Sequence, residues 1–254
     1  MHYQFEWTPV LSQLDRFAEG AAMTLALSFG SILLGTVVGT AGAIAAAFGG
    51  PWLQRATRAY VEAIRNTPFL VQLFIIFFGL PTVGLQIDAV TAAVIAMTVN
   101  LGAYSTEIIR AGLQAVHRSQ LEAAAALGMT RWQLIRHVAL VPAFEKVYPA
   151  LTSQFTLMML TSSVVSTISV EELTAVASQV DSQTFRTFES YILVMFVYIG
   201  LALLLRGIFA LIGNLVFRRR RVVARARKLA RTAPALPLAQ AQAELTAAVA
   251  GSAK

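Results

Sequence analysis

Residues 117–144 read HRSQLEAAAALGMTRWQLIRHVALVPAF. Ser119 with Glu122 three residues on is a capping-box pattern, which opens a helix by satisfying its first free amides. Leu121 to Leu127 continue with strong helix formers, and Gly128 supplies a left-handed stop. Thr130 with Gln133 repeats the capping pattern. Pro142 is expected to close the second helix, because proline lacks the amide a helix interior needs. The segment reads as helix, glycine elbow, helix. A linker lying on a surface would be amphipathic too, but would not need two capped helices at a fixed elbow. A DNA-binding helix-turn-helix has a similar rhythm, yet the segment is too short for the third, supporting helix.

What flanks the elbow decides its setting. Charge-free runs extend over Gly20–Gln54, Asn66–Ile87, Ala89–Thr106 and Val147–Val170, and over Ser190–Phe217 apart from Arg206. A membrane helix needs about 20 apolar residues to cross a hydrocarbon core of about 30 Å. An open sheet cannot cross lipid with unsatisfied backbone. These runs therefore predict five spanning helices, the first near 21–48 and ended by Gly49-Gly50-Pro51. Composition agrees: the 254 residues are 57% hydrophobic and 13% charged, with mean hydropathy +0.66. Soluble domains carry about 25% charged residues, so a soluble enzyme is excluded. With no cysteine and only His2, His117 and His137, disulfides, thiol catalysis and zinc-ligand spacing are excluded as well.

The net charge of +7 is distributed unevenly. With the N-terminus outside, all of the 20 basic residues except Arg16, Arg186 and Arg206 fall on one side. The positive-inside rule makes that side cytoplasmic. The Arg218–Arg221 run then reads as an orientation signal and lipid-headgroup anchor rather than a nucleic-acid arm. In the first helix Ser31, Gly35, Gly39, Ala43 and Ala47 recur every four residues, a small-residue stripe that lets another helix approach closely.

The elbow resembles the EAA signature of ABC importer permeases, whose core is matched by Glu122-Ala123-Ala124 and Gly128. YVEAIRNTPFLVQLFIIFFGLP (60–81), NLGAYSTEIIRAGLQAV (100–116) and TSSVVSTISVEEL (161–173) resemble the polar amino-acid importer branch. The resemblance covers residues 5–217. It departs at Ser119, where glycine is usual, at Val141-Pro142-Ala143, and at Met159-Leu160, where the family often carries a lysine and a polar residue. It implies an all-α integral membrane protein with a five-helix, MetI-like permease core in a bacterial inner membrane, N-terminus out and C-terminus in. An external amphipathic segment (1–19) precedes the permease domain (20–217, elbow included), and a basic, mostly disordered cytoplasmic tail (218–254) follows. The implied partners are cytoplasmic ATPase subunits, a second permease, identical or homologous, and an external solute-binding protein. The substrate would be a polar amino acid; no nucleic acid is expected. There is no GxxxxGK[ST] loop, so this chain is expected to bind no cofactor and to catalyse nothing. ATP and Mg would be used by the partner ATPase.

Within that resemblance Glu122, Ala123, Ala124 and Gly128 are the residues expected to couple to the ATPase. Polar residues inside spans are costly, which makes Asn100, Tyr104, Thr156, Met159 and Ser163 candidates for the substrate path. Hydroxyls that satisfy their own helix, and an Asn100 bond to a neighbouring helix, are the competing readings. Arg65 and Glu107 are expected to form a structural ion pair. The alternatives to an ATP-driven amino-acid importer are an ion-coupled secondary carrier, which usually shows inverted repeats, and an importer permease for another small polar solute.

Overall fold

The computed structural model describes residues 4–216, and no strand occurs among them. The basic tail at 218–254 lies outside the described residues. The chain divides into two compact units, Met1–Ala210 and Leu211–Lys254. Of the second, only the end of the last helix, to Val216, is described.

The elements are α1 (Thr8–Leu11), α2 (Leu14–Phe48), α3 (Pro51–Arg65), α4 (Phe69–Thr82), α5 (Ala89–Gln114), α6 (Arg118–Ala126), α7 (Arg131–Gln133), α8 (Leu140–Thr161), α9 (Leu173–Thr184) and α10 (Thr187–Val216). A π-helical segment, Leu134–Ala139, joins α7 to α8, and a 3-10 segment, Ser162–Ile168, follows α8. α2, α5 and α10 are each long and apolar enough to cross a membrane. The bent pairs α3 with α4 (106°) and residues 131–168 with α9 (50°) bring the number to five if each pair is one span.

Three boundaries differ from the sequence expectation. α2 begins at Leu14, not near 21. Asp15, Arg16 and Glu19 are barred from lipid but not from a helix, and Arg16 donates to Gln179 and Gln183. The second span is not one helix over the 66–87 run. Pro68 disfavours helical geometry at Thr67, so the chain breaks at Asn66–Pro68. The 14 residues of α4 then rise only about 21 Å. Finally, Pro142 does not close the elbow's second helix. Helical backbone continues from α7 through the π segment into α8, and Pro142 lies inside that run, just after the π-helical turn that interrupts the ordinary i→i−4 ladder.

α5 is the central helix: its apolar window is 61% buried, against 22% for α10. Asp88 caps it by accepting from the Thr91 amide and hydroxyl, which holds the exposed Asp88 carboxyl below the ordinary carboxylate range. The small-residue stripe of α2 faces α5. A Cβ on Gly35 would lie 2.9 Å from Leu101, and one on Gly39 would run into Ser105. The partner of the stripe is thus within the chain. A smaller apolar cluster joins Val10 and Phe17 to Leu173, Ala177 and Val180 of α9 and Val194 of α10.

Candidate functional site

The elbow is built on two backbone devices. α6 starts at Arg118 with His117 as its cap and no side-chain capping bond. The Ser119–Glu122 capping box therefore does not form. The helix begins too early for Ser119 to cap it, and Glu122 instead meets Arg118 one turn back at 2.9 Å. At the other end Gly128 has φ +76°. Its amide donates to Ala125 O at 3.0 Å and the Met129 amide to Ala124 O at 3.3 Å, the paired bonds of a Schellman stop. The Thr130–Gln133 capping box forms in full. Lys146 donates to the Ala115 carbonyl, tying the start of α8 to the end of α5 and closing the base of the elbow.

These devices sort the expected coupling residues. Ala124 turns inward and is buried, as is Ile135 of the π segment that α6 packs on. Glu122, Ala123 and Gly128 lie on the exposed side. Leu127 is 83% exposed and Trp132 59%, so the elbow presents two bare apolar side chains beside the glycine. Sequence reading passed over both, because an apolar residue in an amphipathic helix is usually core.

Between α3 and α5, beside Leu121 of α6, lies a cleft of about 600 Å3. Arg58, Glu62 and Arg65 line it from α3, and Glu107 and Arg110 from α5. The expected Arg65–Glu107 ion pair is not the direct one. Glu107 is gripped by Arg110, three residues on along α5, through Nε at 3.2 Å and through Nη2. One helical turn presents the pair without ordering a second element. Arg65 lies over the Tyr104 ring, 5.5 Å from its centroid.

None of the path candidates lines that cleft, Tyr104 meeting it only through Arg65. Asn100 is buried and donates to Gln72 Oε1 at 2.9 Å. Gln72 Nε2 donates in turn to the Ile64 and Thr67 carbonyls, at 2.7 and 3.0 Å. This chain of bonds satisfies the backbone freed where α3 breaks from α4. Thr156 donates to Thr152 O within its own helix, and Met159 is fully buried in the apolar core. Ser163 donates to Leu160 O and borders a separate apolar recess with Met195 and Tyr198. Gln72 was hidden in a charge-free run.

Glu172 was hidden too. It caps α9 by accepting from the Ala175 amide at 2.9 Å, and accepts from Tyr198 Oη at 2.7 Å, while fully buried. Glutamate is not among the favoured N-caps, so residue type alone does not mark this role.

Residues 38–222 match the family model of the binding-protein-dependent transport system inner membrane component. The glutamine transport system permease protein GlnP of Escherichia coli K12 is 35% identical over 204 residues, covering 80% of this chain and 93% of that protein. The octopine transport system permease protein OccM of Rhizobium radiobacter is 33% identical over 226 residues, covering 85% and 91%. Among solved structures, a crystal structure of an amino acid ABC transporter with histidines superposes with TM-score 0.75 at 35% identity, covering 84% of this chain and 99% of that one. An inward-facing MetNI methionine ABC transporter gives TM-score 0.70 at 22% identity, over 81% and 98%, a likeness of fold alone. The all-helical, MetI-like architecture and the elbow thus have one source: the chain belongs to the family of binding-protein-dependent transport system inner membrane components, the permease subunits of bacterial ABC transporters.

Proposed function

We propose that this chain is the transmembrane permease subunit of an ATP-driven importer of polar amino acids, working in a bacterial inner membrane. ATP and Mg are used by separate cytoplasmic ATPase subunits, an external binding protein delivers the solute, and a second permease, identical or homologous, completes the path. The named substrates of the relatives, glutamine and octopine, support the amino-acid class.

One observation carries the coupling role. The elbow is locked at both of its internal ends yet leaves Glu122, Ala123, Gly128, Leu127 and Trp132 exposed. A fixed backbone with bare apolar side chains suits a protein contact that must transmit force. Gly128→Asp tests it cleanly. Any side chain at φ +76° is strained, by roughly 1–2 kcal/mol, though aspartate tolerates the left-handed region better than most residues, and a Cβ at Gly128 meets nothing within 4 Å. The fold should survive while the outer face gains a charge. The ATPase should fail to copurify with the variant, or should lose hydrolysis stimulated by the binding protein, while the amount of permease in the membrane stays normal. Retention of both attachment and coupled transport at wild-type level would make the elbow a linker.

A further inference from the structure

The α3–α5 cleft is lined by three guanidiniums, Arg58, Arg65 and Arg110, and two carboxylates, Glu62 and Glu107, of which only Arg110 and Glu107 form an ion pair with each other. Of its three guanidiniums, Arg110 is occupied by Glu107. Arg65 has its Cζ over the Tyr104 ring, 5.5 Å from the centroid, and, among the described residues, no carboxylate within 4 Å. A guanidinium carries five N–H donors, more than one ring contact can occupy. That planar fork matches a carboxylate bidentately. Glu62 lies three residues before Arg65, on the same side of α3, and Arg58 lies about one further turn back. Arg58, Glu62 and Arg65 are all exposed to the cleft, and its volume, about 600 Å3, is in the range of small-molecule sites.

The geometry points to an elbow-side subsite for a free α-amino acid, with its carboxylate on Arg65 and its ammonium on Glu62. This rests on the importer reading above and goes beyond it: the permease would hold cargo itself, at the end of the path nearest the elbow, in the absence of any binding protein. The recognition is of the backbone groups that every α-amino acid shares. Selection among side chains is not its task.

The test uses the permease–ATPase complex in nanodiscs, with the solute-binding protein omitted and radiolabelled L-glutamine, L-histidine and L-arginine as probes. At least one should bind saturably. Arg65→Gln should weaken that binding about tenfold or more, the range for a lost charged hydrogen bond, and Arg65→Lys should restore part of it. Glu62→Gln, at an exposed position, should weaken amino-acid binding while leaving competition by propionate, a carboxylate without an ammonium, unchanged. Nanodiscs of phosphatidylcholine and of phosphatidylglycerol should give equal binding. If phosphatidylglycerol abolishes it, the guanidiniums hold lipid phosphate and the proposal is wrong. No saturable binding of any probe, or binding indifferent to both Arg65→Gln and Glu62→Gln, also overturns it. ATPase copurification and binding-protein-dependent import, recorded on the same complex, would fail if the importer reading failed. A complex that imports but does not bind in this way sinks the subsite alone.

Discussion

Asn100 is a polar residue inside a membrane helix whose role follows from its partner. Its amide donates to Gln72, and Gln72 donates to the two carbonyls exposed by the α3–α4 break. Asn100→Leu would leave a buried Gln72 oxygen without its donor, a loss of about 1–3 kcal/mol. The thermal midpoint of the solubilised protein should fall clearly. Thr156→Val should barely move it, since that hydroxyl serves only the Thr152 carbonyl of its own helix. If Asn100→Leu melts like the wild type yet abolishes transport, Asn100 belongs to the substrate path after all. The residue itself was legible in the sequence as an oddity inside a span. Its partner was not, because Gln72 is uncharged, lies 28 residues away, and only a bend in the backbone brings the two together. The same holds for Arg65: a cation near a carboxylate suggested a pair with Glu107, while the Tyr104 ring and the nearer Arg110 left it another position.

At the scale of the element, close approach between α2 and α5 is the packing decision on which the core depends. Gly39 and Gly30 lie on the same helix, and they separate packing from propensity. A Cβ on Gly39 would strike Ser105, whereas one on Gly30 meets nothing within 4 Å. Overpacking of this kind costs about 1–3 kcal/mol. Gly39→Leu should therefore reduce the yield of monodisperse protein on size-exclusion chromatography, and Gly30→Leu should leave it near wild type. Equal yields would remove the α2–α5 contact from its central place. The stripe was readable because a four-residue recurrence of small side chains has a direct geometric meaning. α3 was not readable as the first arm of the bent pair with α4. Charge-free runs register what lipid forbids, and α3 carries Arg55, Arg58, Glu62 and Arg65. Three of these line the cleft, and α3 belongs to a span only if the pair bent by 106° is one broken span. The glycine stop and the second capping box of the elbow were local and came through intact. The proline reading failed because a π segment let the helix run on past residue 142.

For the whole molecule the open quantity is orientation, and the bent pair α3–α4 makes it testable at one loop. By length and composition that pair could be a broken span or a re-entrant hairpin. The two differ in where Val83 ends up. α5 decides between them physically. It is 26 residues long, about 39 Å at 1.5 Å per residue, and it is the most buried of the long apolar helices. It must cross, and its C-terminal end leads straight into α6 and the elbow. Its N-terminal end, capped by Asp88, is therefore on the opposite side, and Val83, only a few residues earlier, lies there with it. Basic residues gather on the elbow side, which the positive-inside rule makes cytoplasmic. A reporter active only in the cytoplasm should thus be active when fused after Phe144 or within 218–254, and silent at Val83 and at Ser178 of α9. Activity at Val83 would turn α3–α4 into a re-entrant loop and force α5 to be reassigned. Activity at Ser178 would break the passage from the elbow through α8 to α9, and with it the five-span topology.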